Sequence, residues 1–170
     1  MTFRTRWSET LAKVLLIGAF LGLGLTLAEA ATIVALGASN TYGKGVARNQ
    51  AYPAQLEAIL RAKGKSARVI NAGINGDTTE GMLRRLDRAV PNGTSLVVFQ
   101  PGGNDRRKGS ADRSADIQSR LGARGIPVIV LGNEMLHGLP HQPDGIHLTP
   151  EGYHMLAETV ASRVEGAMGR

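Results

Sequence analysis

The apolar positions of this chain switch repeatedly between two rhythms. Thr32 to Leu36 is a continuous β-favouring run, whereas Ala51, Ala54, Leu56, Ile59 and Leu60 recur at near-helical intervals between Ala51 and Ala62, ahead of Gly64. Ala67 to Ile70 predicts a second strand. Asp77 then stands as a helix N-cap with Glu80 three residues on, a capping-box arrangement, and Met82, Leu83, Leu86, Ala89 and Val90 line one face of the helix that follows. Pro91-Asn92-Gly93 ends that helix. Ser95 to Phe99 predicts a third strand, Ser114 to Ala123 a weaker helix, and Ile126 to Leu131 a fourth strand. Thr149 caps a last helix with Pro150 at its first position, and Tyr153, Leu156, Ala157, Val160 and Val164 form its buried stripe.

Four βα units with strands apolar throughout predict an α/β fold whose parallel sheet is covered on both faces. In such a sheet the ligand site lies beyond the carboxyl ends of the strands, so chemistry is to be sought in the post-strand loops. No repeat, low-complexity tract or linker divides residues 31–170, which are read as one domain of ordinary size.

The first thirty residues break the alternation. Arg4, Arg6 and Lys13 make a basic start, Val14 to Ala28 is apolar and uncharged, and Ala28-Glu29-Ala30 has the A-x-A form of a signal-peptidase site. The apolar run of 15 residues is shorter than the ~20 that a membrane helix needs. These features predict a cleaved signal peptide over 1–30, a periplasmic or secreted mature chain beginning at Ala31, and membrane contact only through the signal before cleavage.

Composition narrows the chemistry. With no cysteine, a disulfide framework, a thiolate zinc site and a cysteine nucleophile are excluded. The formal charge is +6, and the leader, with three basic and two acidic side chains, takes one unit of it away. Arg84, Arg85, Arg88, Arg106, Arg107 and Lys108 are spread over helix and loop positions, the pattern of a solvated basic face and not of a nucleic-acid site.

The loop after the first strand reads Gly37-Ala38-Ser39-Asn40-Thr41-Tyr42-Gly43-Lys44-Gly45. A phosphate loop requires four residues between its glycines and a hydroxyl after the lysine; here there are five, and Lys44 is followed by glycine. A G-x-S-x-G elbow is also absent, because Thr41 occupies the place of the second glycine. Ser39 is left as either a turn residue or a nucleophile. The second loop, Asn71 to Asp77, leads into the capped helix, and Gly73 and Gly76 either turn backbone N–H groups toward an anion or only supply positive φ. In the third, Gly102-Gly103-Asn104-Asp105, a carboxamide held on two glycines can face a developing oxyanion, or both polar residues can serve a turn. The last, Asp144-Gly145-Ile146-His147, places a carboxylate where it can fix an imidazole tautomer. His137, His141 and His154 are read as surface or packing residues.

With these loops in place the sequence resembles the SGNH (GDSL-type) hydrolases, and more narrowly their small exported thioesterase I/lysophospholipase L1-like and arylesterase group. The resemblance lies in four blocks in family order: GASNTYG at 37–43, NAGINGDTTEGMLRRL at 71–86, GGND at 102–105 and DGIHLTPEGY at 144–153. It implies a flavodoxin-like three-layer α/β/α sandwich with four to five parallel strands. It implies Ser39 as nucleophile, His147 as general base and then acid, and Asp144 as its orienting partner. Oxyanion donors would be the backbone N–H groups of Ser39 and Gly76 and the side chain of Asn104. The implied reaction is hydrolysis of a small acyl ester or thioester through an acyl-serine, with no metal or organic cofactor. Carbohydrate deacetylation, or a non-catalytic binding role on the same fold, are the alternatives.

Two departures accompany the resemblance. Ala38 stands where the family usually has aspartate, removing a polar contact of the nucleophile loop. Only about a dozen residues separate the fourth strand from Asp144, where relatives insert a helix and a further strand; this predicts a sheet one strand short, an open acyl pocket and a loosely held His147 loop.

Overall fold

The computed structural model describes residues 30–169; the expected leader and its cleavage motif lie outside the described residues apart from Ala30. Strands β1 (Ala31–Gly37), β2 (Ala67–Gly73), β3 (Thr94–Gln100) and β4 (Val128–Val130) form one parallel sheet in the order β2-β1-β3-β4. Helices α1 (Ser39–Tyr42), α2 (Tyr52–Ala62), α3 (Thr79–Arg84), α4 (Leu86–Ala89), α5 (Asn104–Lys108), α6 (Ser114–Ala123) and α7 (Pro150–Met168) complete the fold.

Alternation along the central strands builds two cores. Ile33, Ala35, Leu96 and Val98 face α2 and α7, meeting Tyr52, Leu56, Leu60, Tyr153, Leu156 and Val160. Val34, Leu36, Val97 and Phe99 face the other way, onto Met82, Leu86, Val90, Ile117 and Leu121 from α3, α4 and α6 and their ends. The result is the three-layer α/β/α sandwich, with four strands among the described residues. Burial on both faces is what makes β1 and β3 apolar without alternation of polarity.

Three local expectations change. The N-cap of α3 is Thr78, whose Oγ1 accepts from the Gly81 N–H at 3.1 Å; the capping box between Asp77 and Glu80 does not form. Asp77 instead accepts from the Thr78 N–H and pairs with Arg85 Nε at 2.8 Å, while Glu80 pairs with Arg84 one helical turn on. The helix expected as one piece up to Val90 is two, α3 and α4, separated at Arg85, whose φ of −103° and ψ of 8° leave the helical path. The fourth strand spans three residues where six were expected. Ile126 is outside it because its N–H turns back to the Leu121 carbonyl, closing the end of α6, and Pro127 has no N–H to offer the sheet.

Candidate active site

The C-terminal ends of β1, β2 and β3 and the turn before α7 converge on one edge of the sheet. β1 stops at Gly37 and the chain turns directly into α1, so Ser39 is the first residue of a one-turn helix and is 8% exposed. Its carbonyl closes the turn by accepting from the N–H groups of Gly43 and Lys44. Helix α1 lies so close over β2 that a Cβ on Gly73 would come within 2.2 Å of the Tyr42 nitrogen, which explains the glycine there.

His147 is 5% exposed and is placed just ahead of α7. Its Nε2 lies 2.9 Å from Ser39 Oγ, and its Nδ1 lies 2.5 Å from Asp144 Oδ2. The other carboxylate oxygen, Oδ1, accepts from the backbone N–H groups of Ile146 and His147, both at 2.9 Å. The His147 backbone N–H, then the imidazole, then the Ile146 N–H hold the Asp144 carboxyl far below the usual carboxylate range. With a carboxylate on Nδ1, that nitrogen carries the proton in the neutral ring, and Nε2 is free to accept from serine.

The short connection to Asp144 is tied down at several points. Within it, residues Asn133–Met135 form a 3₁₀ turn and His141 bridges Leu148 in antiparallel fashion. The Gln142 carboxamide donates to the carbonyls of Lys44 and Leu148 at 2.9 and 2.7 Å, stapling the loop after α1 to the loop that carries His147. Asn40, beside the serine, donates from Nδ2 to the Ile146 carbonyl at 3.1 Å and accepts at Oδ1 from the Tyr153 hydroxyl at 3.0 Å. The loosely held His147 loop expected from the sequence is therefore not found; backbone and amide hydrogen bonds replace the missing helix and strand. Asn40, Gln142 and Tyr153 are the residues sequence reasoning missed. The only signal available was the place of Asn40 next to Ser39.

Asn104 is the first residue of α5 and is 5% exposed. Its Nδ2 donates to the Asp77 carbonyl at 2.7 Å, joining the third loop to the second. Asp105, left open as a turn residue, is a buried cap: its carboxylate accepts from the Thr79 N–H and hydroxyl at the start of α3 and from the Ser110 hydroxyl. Gly76 has φ of 71° and its carbonyl accepts from Lys108 Nζ at 2.6 Å. Asp77 and Arg85, each about one-tenth exposed, pair across the same loop, and Arg85 also donates to the Gly37 carbonyl at the end of β1.

A cavity of about 200 Å³ opens beside the serine. Ser39, Asn40, Asn104, Gln100, Arg107, His137 and His141 are among the residues that line it; Gly76 lies outside that lining. Ala38 is 2% exposed and packs into the core cluster of Val34, Leu36 and Phe99. The polar tie of the α1 segment comes instead from Gln100, whose Oε1 accepts from the Thr41 hydroxyl at 3.2 Å. Among the described residues no group of three or more His, Asp or Glu side chains is placed to hold a metal ion.

The sequence matches the GDSL-like lipase/acylhydrolase family over residues 35–123, from the end of β1 through α6, which includes three of the four loops just described. The chain belongs to that family. Among curated relatives of this GDSL-like chain is the esterase TesA of Pseudomonas aeruginosa, 33% identical over 131 residues. That alignment covers 72% of this chain and 65% of TesA, so the chain spans just under two thirds of the length of the curated relative it matches. Among solved structures, that of TesA superposes with a TM-score of 0.68 at 27% identity, covering 79% of this chain and 98% of that one. The SGNH-hydrolase family esterase AlinE4 superposes with a TM-score of 0.54 at 29% identity, covering 79% and 74%.

Proposed function

We propose that this GDSL-like protein is a serine hydrolase that cleaves small acyl esters or thioesters through an acyl-serine intermediate. The observation that carries the reading is the unbroken line from Ser39 Oγ through the His147 imidazole to the Asp144 carboxylate. In the first step His147 Nε2 takes the Ser39 proton as Oγ attacks the acyl carbon, and Asp144 stabilises the imidazolium that forms. The negative charge that develops on the acyl oxygen is met by the Ser39 N–H and the free N–H of Asn104. Gly76 is assigned as a third donor on the family resemblance, not on its place at the cavity. The imidazolium then protonates the departing alcohol or thiol. Water, deprotonated by the same Nε2, attacks the acyl-serine, releases the acid and restores the serine.

The cavity is below the ~300–1,000 Å³ usual for drug-sized ligands, which favours short acyl groups. No metal or organic cofactor is assigned to the reaction. Residues 31–170 are taken as the hydrolase domain, exported to the periplasm or secreted after removal of residues 1–30; N-terminal sequencing of the exported protein beginning at Ala31 tests that assignment. The purified protein should release p-nitrophenol from the acetate and butyrate esters, and Ser39→Ala should abolish this. Equal rates for the two would overturn the esterase reading and leave a binding role on a hydrolase fold. The polar lining from Asn40, Asn133, Gln100 and His141 favours O-acetylated carbohydrate as a second substrate class, which assay of acetylated glycans against lysophospholipids separates.

A further inference from the structure

We infer that Arg107 is a positioning residue for the reaction, acting through Asn104; the inference rests on the esterase reading above. Arg107 lies three residues beyond Asn104 in α5, so its side chain returns along the same face of the helix. Its Nη2 donates to Asn104 Oδ1 at 2.5 Å, while Asn104 Nδ2 donates to the Asp77 carbonyl on the opposite side. A guanidinium can only donate and a peptide carbonyl can only accept, so these two partners together define which end of the carboxamide is nitrogen. One N–H of Nδ2 is then used on Asp77, and the second remains for the cavity that Asn104, Arg107 and Ser39 jointly line.

Two consequences follow for catalysis. Without Arg107 the carboxamide can rotate about its terminal torsion and present Oδ1 to the site, which would repel an oxyanion. With Arg107, the cation also draws electron density from Oδ1, and the remaining N–H becomes a stronger donor where negative charge develops. The effect is expected to be moderate, because the Arg107 side chain is exposed and its charge is partly screened. It should fall on the transition state, which carries the oxyanion, and not on ground-state binding.

Steady-state hydrolysis of p-nitrophenyl acetate tests this with Arg107→Met, Asn104→Ala, the double variant, Arg107→Lys, and Arg106→Met as a charge control on the same helix. Arg107→Met should lower kcat about tenfold, with KM changed by less than about twofold. In the Asn104→Ala background the same substitution should have no further effect, Arg107→Lys should recover most of the rate, and Arg106→Met should match the wild type. An unchanged kcat in Arg107→Met, a loss confined to KM, or an undiminished loss when Asn104 is already alanine would each overturn the inference. Thermal unfolding of each variant identifies any loss that comes from misfolding. If Ser39→Ala retains wild-type activity, the esterase reading fails; if Ser39→Ala is dead and Arg107→Met is normal, only the role of Arg107 fails.

Discussion

Removing one oxygen atom from Tyr153 tests how Ser39, the proposed nucleophile, is held. The Tyr153 hydroxyl donates to Asn40 Oδ1 at 3.0 Å, and Tyr153 is fully buried while Asn40 is 7% exposed. Tyr153→Phe preserves the ring in its core cluster but leaves Asn40 Oδ1 without that donor in a site with little access to water. An unmet buried acceptor costs about 1–2 kcal/mol. With a urea m-value of about 2 kcal/mol/M, the midpoint should fall by roughly 0.5–1 M with an unchanged slope. Activity should fall too, because the same Asn40 side chain donates to the Ile146 carbonyl and so sets the spacing between α1 and the His147 loop. A shift of ~1 Å at a reacting group is worth about a hundredfold, and a loosened contact should cost about three- to tenfold in kcat. Urea unfolding followed by circular dichroism, with p-nitrophenyl acetate kinetics on the same samples, reads both quantities. If midpoint and kcat both equal the wild type, the contact between α7 and α1 does not hold the Ser39 turn in place, and the reasoning is wrong.

Asp144→Asn should lower kcat by about 10⁴, because an amide on Nδ1 no longer selects the productive tautomer. Since the Asp144 carboxyl is held below its usual range, the ionised form stabilises the fold above the ordinary carboxylate pKa of about 4, and that contribution is lost as pH falls through the lowered native value. The thermal midpoints of wild type and Asp144→Asn should therefore differ at pH 7 and converge below about pH 4; a gap constant with pH would contradict this. Gly45→Ala forces φ of +83° on a residue with a side chain and places its Cβ 2.2 Å from Gln142 Oε1, so stability should drop by about 1–2 kcal/mol and kcat should fall as the staple to the His147 loop loosens. Unaltered melting and kinetics in that variant would show that Gln142 is dispensable.

Much of the architecture was legible from the periodicity of apolar residues. The short β-favouring run Thr32 to Leu36, closed by Gly37, reads as a strand buried on both sides, and the stripe from Tyr153 to Val164 reads as one face of a helix. The four motif blocks likewise marked Ser39, Asn104, Asp144 and His147, because a chemistry restricted to few residue types leaves them at the ends of strands. The cap of α3 was misplaced by one residue because Asp77 and Thr78 are both good caps, and only the position of Arg85 across the loop draws Asp77 away. The roles of Gln142 and Arg107 were invisible for a related reason: each is an ordinary polar residue whose partner is distant in the chain or defined only by a helical turn. The sequence by itself determined the layers and the order of the elements, since these follow from local hydrophobic period, and its four motif blocks named the candidate reacting groups through a family resemblance. Tertiary structure alone decided whether a shortened connection still brings His147 Nε2 to within 2.9 Å of Ser39 Oγ, because that distance depends on hydrogen bonds between segments a hundred residues apart.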